Sequence, residues 1–434
     1  MALGVLVFAL ATQLRPDFTA FFGDSSVLTW ALLHFVLPIV SILLILGFCS
    51  RLCSLICWAG VVYIQQANPH ILYGSDRLLH LLLFWAVFLP IGSAWSLDSW
   101  LFKKPYSLPL SGRWAVWAIT LQICCVYWSA AISKTGPMWT QNHNALFYAL
   151  NLEDTHTPFG SSLRQYPALL RLLTAGTLYL EYLGPLLLFV PYYQSRCRLI
   201  AVILFVSFHL ICMQSMMMLG FFPWVCAAAW LIFIPAFFWD FVTGPFSLLR
   251  FMLPPKGWVL FLDRSMAGLV LISLADVLAW NAVQIIDLKI PNSPAVAWMK
   301  SHDPTVSILH LDQRWRLFAP NVYAEQGWLI VPAELTDGTQ IDLYTHKPLS
   351  WDHPEDLAEY LGDDRWRAFM RNLFHDRDPG TLHHYSETLV DKWNAEHPAT
   401  QQVKKVTLVF MKETTHADLT ISKPEPVTLY EKNY

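Results

Sequence analysis

The sequence predicts a mainly α membrane protein: a bundle of about nine transmembrane helices followed by a small α+β extramembrane domain. Three observations carry this reading. The 434-residue chain is 55% hydrophobic and only 14% charged, with positive mean hydropathy, far from an ordinary soluble composition. Apolar runs of bilayer-crossing length recur along its first two thirds. The charges are segregated: residues 287–434 hold 22 of the 32 acidic and 15 of the 29 basic side chains. A membrane domain over 1–286 and an extramembrane α+β domain over 287–434 follow. The net charge of -3 offers nothing to a nucleic-acid backbone.

In chain order, residues 2–11 are apolar but too short to span alone, and no basic n-region precedes them as in a signal peptide. They read as a helix trimmed at its start. Further spans are expected at about 27–48, 52–66, 78–90, 114–134, 168–190, 199–218, 221–239 and 266–286, with modest tilt or short ends allowed. Basic residues in the connections fall into two alternating sets. Arg51, Lys103, Lys104, Arg113, Arg196, Arg198, Arg250, Lys256 and Arg264 lie on one side; Arg15, Arg77, Lys134 and Arg164 lie on the other. By the positive-inside tendency the larger set is cytoplasmic. Lys134, the 135–167 connection and the extramembrane domain are then exoplasmic, which means periplasmic in a bacterial inner membrane. The connection holds Gln141-Asn142-His143-Asn144-Ala145-Leu146-Phe147-Tyr148-Ala149-Leu150, expected as a short helix that either roofs a cavity beside Lys134 or anchors aromatics at the interface.

The extramembrane domain begins near Ile308. Residues 327–335 alternate as a strand, Asp337-Gly338 is a hairpin turn signal, and 339–346 supplies the partner strand. Residues 351–374 and 381–396 read as helices and 403–411 as a further strand. Phosphate loops, dinucleotide fingerprints and serine-nucleophile elbows are absent from the sequence, so no nucleotide cofactor is expected.

Chemistry concentrates at Val126-Tyr127-Trp128-Ser129-Ala130-Ala131-Ile132-Ser133-Lys134-Thr135-Gly136-Pro137-Met138-Trp139, where a long apolar run ends in one lysine. Gly136-Pro137 stops the helix and places Lys134 in its last turn. Helical counting puts Tyr127, Ala130 and Ala131 on its face, leaving room for a bulky partner. Two readings stay open on spacing alone. Lys134 either snorkels to the headgroups, or it is partly desolvated, which disfavours the charged form and makes the amine a proton acceptor.

Other polar groups within the spans also stand out. Glu181, His209 and Asp276 are intramembrane ionisable residues, each readable as a functional group or as a packing residue satisfied by a neighbouring helix. His34, His80 and His209 have no arrangement diagnostic of haem. All eight cysteines lie between Cys49 and Cys226; Cys49, Cys53 and Cys57 stripe one helix face as packing thiols, and no structural metal is expected. Met213, Met216, Met217 and Met218 read either as packing or as a greasy pocket for an isoprenoid chain.

A resemblance adds to this reading. Tyr127, six residues, Lys134, four residues and Trp139 resemble the segment of the vitamin K-dependent gamma-carboxylases that carries their catalytic lysine, within the wider family of horizontally transferred transmembrane (HTTM) domain proteins. Trp95-Ser96-Leu97-Asp98 is similar to that family's Trp-Ser-aliphatic-Asp. Phe208-His209 with Gly220-Phe221-Phe222-Pro223-Trp224 is similar to its Phe-His helix. Trp315-Arg316-Leu317-Phe318-Ala319-Pro320-Asn321, Gly327-Trp328 and Leu335-Thr336-Asp337-Gly338 resemble the opening of the extramembrane domain in bacterial relatives.

The resemblance implies an enzyme using reduced vitamin K or a related quinol with oxygen. In it Lys134 deprotonates the quinol, the oxygenated product removes an unreactive proton, and the quinone leaves as its epoxide. In the carboxylases that proton comes from the gamma carbon of a glutamate and carbon dioxide then adds. Tyr127, Trp139, Asp76, Arg77, His80, Glu181 and His209 are the residues expected around the quinone. The sequence departs from the animal enzymes at Asp76-Arg77, where they carry a functional histidine after asparagines; here His80 lies one turn on. Expected partners are membrane lipids, a quinone or quinol, and a protein or peptide acceptor on the exoplasmic side. A different class of function, a non-catalytic membrane scaffold or lipid-binding protein, accounts for the same composition without using Lys134.

Overall fold

Among the described residues the first two thirds of the chain is mainly helical. The structure, a computed structural model, describes residues 1–13, 32–67, 73–93, 95–102, 109–243, 258–290, 293–302, 308–416 and 420–434. The start of the 27–48 run and the residues Arg15, Lys103, Lys104, Arg250 and Lys256 lie outside these described residues. The helices are α1 (Ala2–Gln13), α2 (Leu37–Leu46), α3 (Ser50–Ala67), α4 (Gly74–Phe88), α5 (Leu110–Ser133), α6 (Pro167–Leu183), α7 (Gln194–Met216), α8 (Phe222–Phe233) and α9 (Trp258–Lys289). Each expected run thus contains a helix among the described residues.

The expected number of spans is corrected. Among the described residues three helices are long and apolar enough to cross a bilayer: α5, α7 and Leu260–Lys289 of α9. The others fall short for identifiable reasons. α1, α2 and α8 are short apolar helices. α4 has 15 residues, a rise of about 22 Å against a hydrocarbon core of about 30 Å. α3 carries Arg51, Gln65 and Gln66, and α6 gives way to a tighter 3-10 turn at Gly184–Leu188, started by Pro185.

Carboxylates fasten helix starts. Asp98, the end of the Trp-Ser-Leu-Asp stretch, accepts from the Cys49 and Ser50 amides at 2.8 and 3.0 Å and so caps α3. Asp263 of α9 does the same for α5, accepting from the Leu110 and Ser111 amides at 2.8 and 3.0 Å. α5 lies along α9, α3 along α4 and α1 along α2, with α8 against α4 and α7. Ser129 of α5 and Asn281 of α9 are buried and bonded at 2.8 Å.

The C-terminal part is a six-stranded antiparallel sheet with helices. Its strands are β1 (Glu325–Ile330), β2 (Pro332–Leu335), β3 (Gln340–Asp342), β4 (Lys347–Pro348), β5 (Val403–Thr414) and β6 (Glu425–Asn433), in the order β1-β5-β2-β3-β4 with β6 on the free edge of β5. The turn expected at Asp337-Gly338 joins β2 to β3. Residues 325–335 hold two strands rather than one, because the Val331 amide turns aside to Asp342 Oδ1 at 2.9 Å. β6 was not expected, since its alternation is half-exposed and its charges mask it. The helices α10 (Asp364–Asp376) and α11 (Pro379–Glu396) start at Asp363 and Asp378, whose side chains accept from the first-turn amides.

This part is seated on the end of the bundle where Lys134 emerges. Asp76 at the start of α4 and Arg365 of α10 form a buried two-point ion pair at 2.9 and 3.0 Å. Arg77 meets Asp312 at 3.1 Å, and Asp154 meets Arg371. A buried core runs without interruption from α1 through α8 to the sheet. Gln313 knots the junction: its carbonyl accepts from Trp280 of α9, and its side chain meets Gln122 of α5 and Trp315.

Candidate functional site

α5 is helical to Ser133, and Lys134 is the residue that caps its end, its amide still bonded to the Ala131 carbonyl at 3.1 Å. The ammonium points inward. Only 4% of Lys134 is exposed, and its Nζ donates to Glu181 Oε1 and Oε2 at 2.8 and 2.5 Å. Glu181, on α6, is itself 7% exposed. The snorkelling reading is therefore set aside, because a headgroup-seeking lysine leaves its ammonium in water. Trp139 closes the third side, its ring centroid 5.0 Å from Nζ, a cation–π distance.

Two cavities meet at this pair. The first, about 420 Å³, runs along the stripe Val126, Tyr127, Ala130 and Lys134 of α5, spaced as one helix face, and is completed by Glu181, His209 and Cys226. The second, about 300 Å³, shares Lys134, Glu181, Phe208, Met213 and Leu317 and is otherwise nearly all apolar, lined by Leu172, Leu180, Met216 and Met217 among others. Both volumes suit a small-molecule site, which spans about 300–1,000 Å³. Met213, Met216 and Met217 belong to a buried core cluster and also line this apolar chamber.

The expected helix lines one of the two cavities beside Lys134, and a second segment covers the other. The 141–150 segment folds as Ala145–Asn151 and walls the apolar chamber through Ala145, Leu146 and Ala149, while the larger cavity is covered by the segment from Arg314 to Tyr323. That segment is pinned at three points. Gly136 N donates to Pro320 O at 3.0 Å, Trp139 Nε1 to Phe318 O at 2.8 Å, and Met138 N to Asn321 Oδ1 at 3.3 Å. A Cβ on Gly136 would stand 1.9 Å from Asn321 Oδ1, so any side chain there must displace the Asn321 amide.

A second polar cluster lies on the same cavity. Tyr127 Oη lies 2.8 Å from both Trp230 Nε1 and His209 Nε2, and the Tyr127 and Trp230 rings pack with Phe205 between α5, α7 and α8. His209 sits in a π-helical stretch, Phe208–Met213. Such wide turns reorient side chains and recur at functional sites. Trp230 and the Arg314–Tyr323 cover were missed by sequence reasoning. Trp230 is one aromatic in an apolar run and gives no signal, whereas the Trp315–Asn321 motif was visible and lacked only its place in space.

Of the expected quinone-site residues, Tyr127, Trp139, Glu181 and His209 gather around Lys134. Asp76, Arg77 and His80 line neither of these cavities. Asp76 is spent on Arg365 and on the Tyr73 amide. Arg77 is spent on Asp312. His80 is buried between Gln65 Oε1 and the His310 carbonyl at 2.8 and 2.7 Å. These three hold the C-terminal part to the bundle. The reason is positional: they face the α10 and 308–316 elements, which sequence spacing alone does not bring there. Asp276 has polar contacts of its own and lines neither cavity.

All eight cysteines are free thiols. Among the described residues no three His, Cys, Asp or Glu side chains gather as a metal site. No curated protein and no solved structure gives a significant match to this chain. A family model does: the HTTM domain matches residues 18–238, half of the chain and all of the elements from α2 to α8 that build the Lys134 site. With its long apolar helices and this match, the chain belongs to the HTTM-domain family, as an integral membrane protein of the carboxylase-related group.

Proposed function

We propose that this protein is a quinol-dependent membrane enzyme of carboxylase type, with reduced vitamin K or a related quinol as its cofactor and Lys134 as its proton acceptor. The observation that carries the reading is a buried Lys134–Glu181 pair standing where a chamber of mixed lining, the more polar of the two, meets a nearly apolar one. A prenylated quinone has that division: a ring with two oxygens and a long hydrocarbon chain. Tyr127, His209 and Lys134 line the more polar chamber and suit the ring; Met213, Met216 and Met217 line the other and suit the chain.

When bound, the reduced quinone would supply, with oxygen, a base strong enough to remove an unreactive carbon-bound proton, and would leave as its epoxide. The protein's own part is proton handling and water exclusion. A proton passed from Nζ to Glu181 along their 2.5 Å line would leave the amine neutral. The amine lone pair is then free to take a ligand hydroxyl proton. Trp139, Trp315 and Pro320 keep bulk water from quenching the chemistry. The multi-pass arrangement with Lys134 and the 287–434 domain exoplasmic, and a protein or peptide acceptor there, complete the proposal; seating of the C-terminal part on the Lys134 end supports it.

The test is direct. Purified protein with reduced vitamin K and oxygen should form the epoxide, and Lys134→Ala should lose it. Equal epoxide from both proteins, or none from the intact one, sinks the reading and favours a scaffold.

A further inference from the structure

One hydrogen bond at Tyr127 has its direction fixed by chemistry. An indole N–H only donates, so Tyr127 Oη accepts from Trp230 Nε1. The single phenolic proton is then directed at His209 Nε2, 2.8 Å away; the Cys226 thiol also meets the phenol, but sulfur is the weaker acceptor. With that proton donated in a hydrogen bond to Nε2, a neutral His209 carries its own on Nδ1. That nitrogen is buried and has no partner among the described residues, although His209 is only 2% exposed and lines the larger cavity. A buried N–H left unpaired is destabilising, so the arrangement is completed by something that brings an acceptor.

We infer that Trp230 and Tyr127 hold His209 as a neutral Nδ1–H donor that fixes one oxygen of the ring ligand, while a second oxygen of that ligand engages the Lys134–Glu181 pair. His209 is a positioning residue on this view: it sets which oxygen faces the proton acceptor. The ligand class is a ring with two oxygens, one accepting a hydrogen bond from a neutral donor and one bearing an ionisable proton. This inference rests on the quinone reading above for the ligand, and on Trp230 for the tautomer.

The two parts are tested separately in the full-length protein. In the ligand-free protein, ¹⁵N NMR of labelled histidine, with His209→Asn to assign the signal, should find Nδ1 protonated, and Trp230→Phe should release that tautomer; a proton on Nε2 in the intact protein overturns the inference. With menaquinone-4 as the probe, the intact protein should bind, and infrared difference spectra should show the two carbonyl stretches unequally lowered. His209→Phe should weaken binding about fivefold, the worth of one neutral hydrogen bond, and return one carbonyl stretch to its free position. His209→Asn, which keeps a donor at the δ position, should retain both. Binding by the intact protein that His209→Phe leaves unchanged overturns this inference alone. No binding by the intact protein overturns the quinone reading and the ligand half with it.

Discussion

Lys134 and Glu181 are buried charges paired with each other, and that decides how each should respond to substitution. Breaking a buried pair from one side leaves an uncompensated charge and costs about 3–5 kcal/mol. Glu181→Gln should therefore lower the thermal midpoint sharply in detergent, whereas Lys134→Met combined with Glu181→Leu should regain most of it while forming no epoxide. A double variant as unstable as Glu181→Gln would contradict the pairing. Glu181 was conspicuous in the sequence as a carboxylate in an apolar helix, and so was Lys134. Their meeting was not, because α5 and α6 are separate helices and helical counting orders residues only within one. His209 was legible in the same limited way: its oddity could be read, but its tautomer depends on Trp230 of α8, three helices after α5 in the chain.

At the level of elements, short contacts between bundle and C-terminal part decide whether the site closes. Arg365→Ala should cost about 3–5 kcal/mol, since Asp76 would be left buried and unpaired; a chemical melt comparing it with Asp76→Asn/Arg365→Met, expected to be nearly intact, checks this. Gly136→Ala should dislodge the 314–323 segment, admit water and lose epoxide formation, and Asn321→Ala should restore part of that activity by removing the obstructing amide. A Gly136→Ala protein with full activity would remove the segment from its role as cover. The stop of α5 and the Asp337-Gly338 turn were legible, being local chemistry, whereas the helix expected over 351–374 begins only after its cap at Asp363. Asp76, Arg77 and His80 were read as cofactor residues because they lie beside Lys134 in the expected topology; their true partners come from elements more than two hundred residues later.

Across the whole molecule, the division into a bundle and a sheet followed from charge segregation alone, while the number of crossings did not, since helix length depends on caps and on the 3-10 and π stretches that composition does not show. The junction also titrates. His375 stacks on Tyr323 of the cover, and burial, with Arg371 nearby, holds its imidazole below the usual range. A histidine depressed in the folded state leaves the unfolded chain to bind the proton first, so stability is full at neutral pH and falls as pH drops through about 6.5. The thermal midpoint should be lower at about pH 5.5 than at about pH 7.5, and His375→Phe should flatten that difference. Ligand preference is a property of both chambers together: a quinone bearing an isoprenoid chain should bind at least about tenfold more tightly than its chain-free ring, by burial of a few methylene groups, and titration of both probes reads this. The ceiling over Lys134 has one more consequence, for biogenesis. Translation delivers the amine and its carboxylate early and the Arg314–Tyr323 segment late, so a nascent chain carries the reactive pair through insertion without a sealed compartment around it. Competence would thus arrive at the last docking event, after the lipid-embedded helices have already found their places.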